Sequence, residues 1–242
     1  MHCAYSGELK TTWALNYAYH VVNQGGNVLY ASNEMFENQI RMNLTCIAAN
    51  KEIHSRPALV LYVEYQAIRD GDLYEDASKY YHKVANDLIS KARDTGLAYG
   101  DFGFFGPSEE AVSVLDKELK KRLKKSTLDL VIVDPVDLRE QYIDELKCLA
   151  MKHTVPVLVL APFHRGAKSG ADANSGQYTL EDLGEYLDAA SSPDIITTSY
   201  LDASLRADGK VVFGNLKSRN TARFQPFQAR VDFPCRTICS IT

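Results

Sequence analysis

The sequence predicts an α/β fold: a mostly parallel central sheet flanked by helices, closed by C-terminal antiparallel strands. Three observations predict it. Helical and strand-like patterns alternate along the chain, as they do when crossover helices return the chain to parallel strands. Leu128 to Asp134 (LDLVIVD) is a continuous apolar run ending in an acid, the pattern of a strand covered on both faces. Near the C-terminus three β-rich segments (KVVFGNLKSR, RFQPFQARVDF and RTICSIT) follow one another with no helical pattern between them.

The elements can be justified in order. Lys10 to Gln24 carries Trp13, Tyr17, Val21 and Val22 at helical spacing and stops at Gly25-Gly26. Asn27 to Ser32 is a short apolar strand, and a second helix runs from Phe36 to Ala49. Residues 50–100 are more polar and mostly helical, most clearly from Tyr74 to Ala92. A Gly- and Phe-rich stretch (YGDFGFFGP) precedes a helix that Ser108 caps, with Glu109 and Glu110 behind it. That helix ends in the basic run KKRLKKS, and cations at a helix C-terminus read as a solvated end. The strand 128–134, a helix over 139–154 and a strand from Val155 to Leu160 come next. Residues 165–178 (RGAKSGADANSGQY) are rich in Gly, Ser and Asn and read as a working loop. A short helix then leads to a strand, DIITTSYL. No internal repeat and no linker composition divides the chain, so 1–242 reads as one domain.

Composition sets bounds on function. Hydrophobic residues make up 45% and charged residues 24% of the 242, ordinary globular usage, and the net charge is −4. A protein that coats nucleic acid with its whole surface would be basic, so any such contact here is local. The five cysteines (Cys3, Cys46, Cys148, Cys235, Cys239) form no CxxC, and none has the spacing of a zinc site. They read as reduced thiols of a cytoplasmic protein. No apolar run is long enough to span a membrane, and no signal peptide opens the chain.

Candidate chemistry gathers at four places. Ala4-Tyr5-Ser6-Gly7-Glu8-Leu9-Lys10-Thr11-Thr12 has the order of a phosphate loop: backbone amides at a helix start, a lysine, then hydroxyls. The standard pattern has glycine where Ala4 and Leu9 stand, and a plain helix start capped by Thr11 or Thr12 is the competing reading. Glu34 follows the strand 27–32, where a carboxylate faces phosphates or simply solvent. Asp134 ends its strand, as a magnesium-water acceptor or as a cap before Pro135. Lys217 and Arg219 share one face of a strand, which suits phosphate and suits water.

Taken together, these pieces resemble the C-terminal motor domain of DnaB-type replicative helicases, in an atypical, phage-like branch. The resemblance rests on KTTWALNYAYHVVNQGGNVLYASNEM (10–35), YQAIRDGDL (65–73), LDLVIVD (128–134), VPVLVLAPFHR (155–165), LEDLGEYLDAASSPDIITTSYLD (180–202) and LKSRN (216–220). It implies a RecA-like P-loop NTPase fold and ATP with Mg2+ as cofactors. Gly7, Glu8, Leu9, Lys10, Thr11 and Thr12 would line the phosphates, and Thr11 and Asp134 would serve the magnesium. Glu34 resembles the family's general base. Lys217 and Arg219 resemble its paired fingers, which reach the neighbouring subunit's nucleotide and so imply a ring, hexameric in the family. Single-stranded DNA would pass through the channel, with a primase or helicase loader as a further partner.

The sequence also departs from that pattern. Leu9 stands at a glycine position, and its Cβ would crowd a phosphate. Pro162 stands where the family places a glutamine sensor, with His164 and Arg165 nearby. Residues 1–5 supply only a stub of the first strand, and the family's N-terminal helical domain and linker are not in this sequence. Candidate DNA contacts are Arg165 and Lys168 in 165–178 and Arg139 in 135–141. Two functions follow as expectations: an ATP-driven DNA-unwinding motor, or a RecA-like module that keeps fold and oligomer surface without turnover. A recombinase or clock-protein ATPase is a third reading, which the LKSRN block disfavours.

Overall fold

The computed structural model describes residues 1–32, 34–55, 62–95, 98–101, 109–134 and 140–241. Nine strands among them form one sheet, in the order β3-β2-β4-β5-β1-β6-β7-β8-β9. The first six in that order run parallel: β1 His2–Ala4, β2 Val28–Ser32, β3 Ala98–Asp101, β4 Leu130–Asp134, β5 Val157–Pro162 and β6 Ile195–Tyr200. The last three are antiparallel: β7 Lys210–Ser218, β8 Phe227–Asp232 and β9 Thr237–Ser240. Although three residues long, β1 is paired on both sides, by β5 and by β6.

Strand alternation sorts the core onto two faces. Val28 and Tyr30 of β2 and Leu130 and Ile132 of β4 pack with α1 (Lys10–Asn23), α2 (Glu37–Ser55) and α4 (Glu75–Thr95). Leu29, Ala31, Val131 and Val133 pack on the other face, against α5 (Glu109–Leu123), α6 (Glu140–His153) and the 3₁₀ segment Leu180–Ser191. Parity therefore puts Asp134 on the face of Tyr30 and α1. A third, smaller cluster (Val211, Phe213, Ala229 and Val231) joins the C-terminal strands to Leu9 and Trp13. The remaining short helices are α3 (Tyr65–Asp70), α7 (Ala167–Ala173) and α8 (Ala203–Ala207).

Three expectations change. Residues 165–178 are no open loop. Ala167 and Ala171, one helical turn apart, are both fully buried, and this anchors α7 despite its glycine and serine. Strand β3 arises where only a Gly- and Phe-rich stretch was expected. Strand β5 runs on to include Pro162, whose missing N–H is tolerated because it ends the strand. Ser108, Arg139 and the rest of 135–139 lie outside the described residues. The basic run is a solvated helix end: Lys120, Lys121 and Arg122 pair with Asp116 and Glu118 of their own helix.

Candidate functional site

The chain leaves the middle of the sheet at Ala4 and reaches α1 through five residues. Gly7 takes φ 79° and Leu9 takes φ 70°, both left-handed. Gly7 needs to be glycine for that reason. Leu9 is strained by about 1 kcal/mol. Its side chain turns into the third core cluster, beside Trp13, Phe233 and Ile238, so the expected crowding of phosphate by its Cβ is replaced by packing against the C-terminal strands. Leu9 is also the residue at the N-cap of α1, and neither Thr11 nor Thr12 caps. No side chain caps α1 and no acid stands in its first turn, which leaves its positive end available to an anion.

Lys10, Thr11, Asp134 and Glu34 converge on this helix start. The Lys10 Nζ donates to the carbonyls of Ala4 (3.1 Å) and Tyr5 (3.4 Å). Among the described residues it makes no ion pair closer than these carbonyls. Burial pulls its pKa below the ordinary lysine range, while the charges of Asp134 and Glu34 act the other way. The Thr11 Oγ1 donates to Asp134 Oδ2 at 2.9 Å, and the buried Tyr30 hydroxyl donates to the same oxygen at 2.6 Å. Burial raises the Asp134 carboxyl; the two hydrogen bonds lower it. Glu34 is exposed, in the turn after β2, where Ser32 Oγ accepts from the amides of Glu34 (3.3 Å) and Met35 (3.0 Å). Thr12 is buried within α1.

Glu8 departs from the expectation that it lines phosphate. Its side chain turns inward and is 2% exposed. It accepts from Lys168 Nζ of α7 (2.5 Å), from the Tyr178 hydroxyl (2.7 Å) and from the Tyr5 amide (3.3 Å). Lys168, expected as a DNA contact, is therefore spent on the loop; it also donates to Leu201 O and lies 3.7 Å from the centre of the Tyr200 ring. Arg206 of α8 donates to Gly7 O at 3.2 Å. Arg165 is exposed, and His164 Nδ1 accepts from the Gly166 amide.

Lys217 and Arg219 sit elsewhere. Lys217 is paired across from Ile196, while Ala4 is in register with Ser199 three residues further along β6. That places Lys217 about 10 Å back along the strands from the loop and two strands across. Its Nζ donates to the carbonyls of Ala190 (2.6 Å) and Ser191 (2.7 Å). Arg219, 48% exposed, donates to Asp194 Oδ1 (3.2 Å) and Ser191 O (3.0 Å), and Lys147 pairs with the same aspartate. Both cations point away from their own chain's loop.

The donor set fits a magnesium-bound phosphate. Among the described residues no three His, Cys, Asp or Glu cluster as a metal cage. Magnesium needs none when phosphate and water supply most of its oxygens, and one hydroxyl with a carboxylate behind it suffices. Sequence reasoning had the motif residues and missed Tyr30, Tyr178 and Arg206. Tyr30 is hidden in a buried strand run, and the other two lie far from the loop in sequence.

The sequence matches no family model and no curated relative. Among solved structures the chain is similar over its whole length to the ATPase domain of a DnaB-like replicative helicase, covering 84% of that chain with a TM-score of 0.78 at 16% identity. It is similar to a second DnaB-like replicative helicase, described with its primase interactions, covering 58% of that longer chain with a TM-score of 0.77 at 17% identity. Similarity to the RadB recombinase is lower, with a TM-score of 0.53 at 15% identity over 90% of that chain. The fold is that of DnaB-like helicase ATPase domains, a RecA-like sheet with antiparallel C-terminal strands.

Proposed function

We propose that this chain, which carries the fold of a DnaB-like ATPase domain, is an ATP-dependent DNA helicase motor working in a homo-oligomeric ring. The observation that carries the reading is the meeting of Lys10, Thr11 and Asp134 at an uncapped helix start, with the charge of Glu34 acting on the same group. Magnesium would neutralise phosphate charge and bridge the β- and γ-oxygens. Lys10 would release Ala4 and Tyr5 to meet the phosphates as a point charge. Thr11 would offer its oxygen to the metal while still donating to Asp134. Exposed Glu34 would accept the proton of the attacking water. Lys217 and Arg219, aimed away from their own loop, would serve the next subunit's γ-phosphate. Single-stranded DNA would lie along the ring's inner wall, and a primase or loader is the partner class this reading implies.

Purified protein should hydrolyse ATP in a magnesium-dependent reaction stimulated by single-stranded DNA, and Lys10→Ala or Glu34→Ala should abolish it. Wild-type protein that is folded yet shows neither nucleotide binding nor stimulated turnover would overturn the proposal. A second reading, a module without turnover, draws on Leu9 and Pro162. It expects Lys10→Ala to change nothing, and magnesium-dependent calorimetric binding of a non-hydrolysable ATP analogue would exclude an inert module.

A further inference from the structure

We propose that Glu8 and Lys168 are positioning residues that hold the phosphate loop in its receptive shape before any nucleotide arrives. The inference rests on the nucleotide reading above and concerns how this loop manages with so few glycines. A loop of this kind takes its shape from residues free to adopt positive φ. Here Ala4 and Leu9 occupy two positions where the usual pattern has glycine, and Leu9 must be held at φ 70°. A strained backbone persists only where its surroundings over-determine it.

The surroundings do so at Glu8. Its carboxylate, buried behind the loop, takes bonds from Lys168, Tyr178 and the Tyr5 amide. Its carbonyl accepts from the Ser199 hydroxyl at 2.6 Å. Glu8 is thus fastened at both side chain and backbone, one residue from each left-handed position. Lys168 is fastened in turn by Leu201 O and by the Tyr200 ring. Arg206 reaches Gly7 O from α8 as a second tie. A buried ion pair is a poor source of net stability, because desolvation offsets most of its attraction. Its contribution here is geometric: it fixes the backbone carbonyls and amides that a phosphate must meet. Both partners lie off the face where Lys10 and Thr11 converge, so neither has to touch the ligand.

The test compares Glu8→Gln/Lys168→Met with wild type. Calorimetry with a non-hydrolysable ATP analogue and Mg2+ gives the affinity, and hydrogen exchange of residues 4–9 without nucleotide gives the loop's order. Removing both charges together should leave the thermal midpoint near wild type. It should weaken analogue binding at least tenfold and speed exchange across the loop. Lys168→Arg should recover most of the affinity. Tyr178→Phe, which removes one hydroxyl and keeps the ring against Phe163, should weaken binding by up to about tenfold even if the double variant folds poorly. A well-folded double variant with wild-type affinity and wild-type exchange overturns the inference, as does unchanged affinity in Tyr178→Phe. Failure of wild-type protein to bind the analogue would instead sink the nucleotide reading, and the exchange comparison alone would then decide whether the pair shapes the loop.

Discussion

Tyr30 delivers a hydroxyl into the interior of the sheet and spends it on Asp134, on the oxygen that also holds Thr11. A buried carboxylate that loses one of two donors is left partly unsatisfied, at a cost of about 1–3 kcal/mol. Tyr30→Phe should therefore lower stability by that amount in urea denaturation, with the fold retained because the ring still fills its place; a midpoint equal to wild type would mean the hydroxyl contributes nothing. His2 offers a second test. Its ring is fully buried, stacked 4.1 Å from Trp13 and bonded to Thr197 and Ser199. Burial, helped by the chain's amino-terminal charge and Lys10, lowers its pKa to about 3. The unfolded chain takes up this proton near pH 6.5, while the native state stays neutral down to about 3. The unfolded state thus binds more protons across that window, and stability must fall as pH falls through it, by about 1.4 kcal/mol per unit for this group. His2→Asn should flatten the slope between pH 6 and 4; equal slopes would show that the ring titrates freely. Lys10, Thr11, Glu34 and Asp134 were legible in sequence because each closes or opens an element whose pattern is strong. Tyr30, Tyr178 and Arg206 were not, since their partners are fixed only by which strands become neighbours.

Among the elements, those with long apolar periodicity stand close to where the sequence puts them: α1 ends one residue before Gln24, and β4 keeps the C-terminal five residues of the predicted run. Short elements escaped. The helix α7 has the composition of a loop, and what makes it helical is tertiary: two alanines that fit under the 3₁₀ segment and a lysine bound to Glu8. The strand β3, AYGD, is too short for its alternation to register. The five-residue α8 depends on its cap. Asp202 Oδ1 accepts from the Leu205 amide at 2.7 Å, and the helix carries Arg206 to the phosphate loop. Asp202→Ala should cost about 1 kcal/mol. It should also raise exchange at Gly7 and its neighbours, because Arg206 loses its platform. Loss of stability without any change in the loop would show that α8 is only a local helix.

At the scale of the whole molecule the sheet has two working edges. The parallel strands deliver Ala4 and Asp134 to one edge, where α1 begins. The strand β7 returns antiparallel and carries Lys217 and Arg219 back toward the other, where Asp194 and the end of the 3₁₀ segment hold them. One chain therefore cannot close its own site with its own cations, whereas a head-to-tail contact brings the two edges together and repeats into a ring. This geometry makes a mixing experiment decisive. Lys10→Ala leaves the cations intact and spoils the loop; Arg219→Ala does the reverse. Each variant alone should be inactive. In an equimolar mixture roughly one interface in four joins an intact loop to an intact arginine, so activity should return to about that fraction of wild type. Cations that act within their own chain, or not at all, would leave the mixture as inactive as its parts.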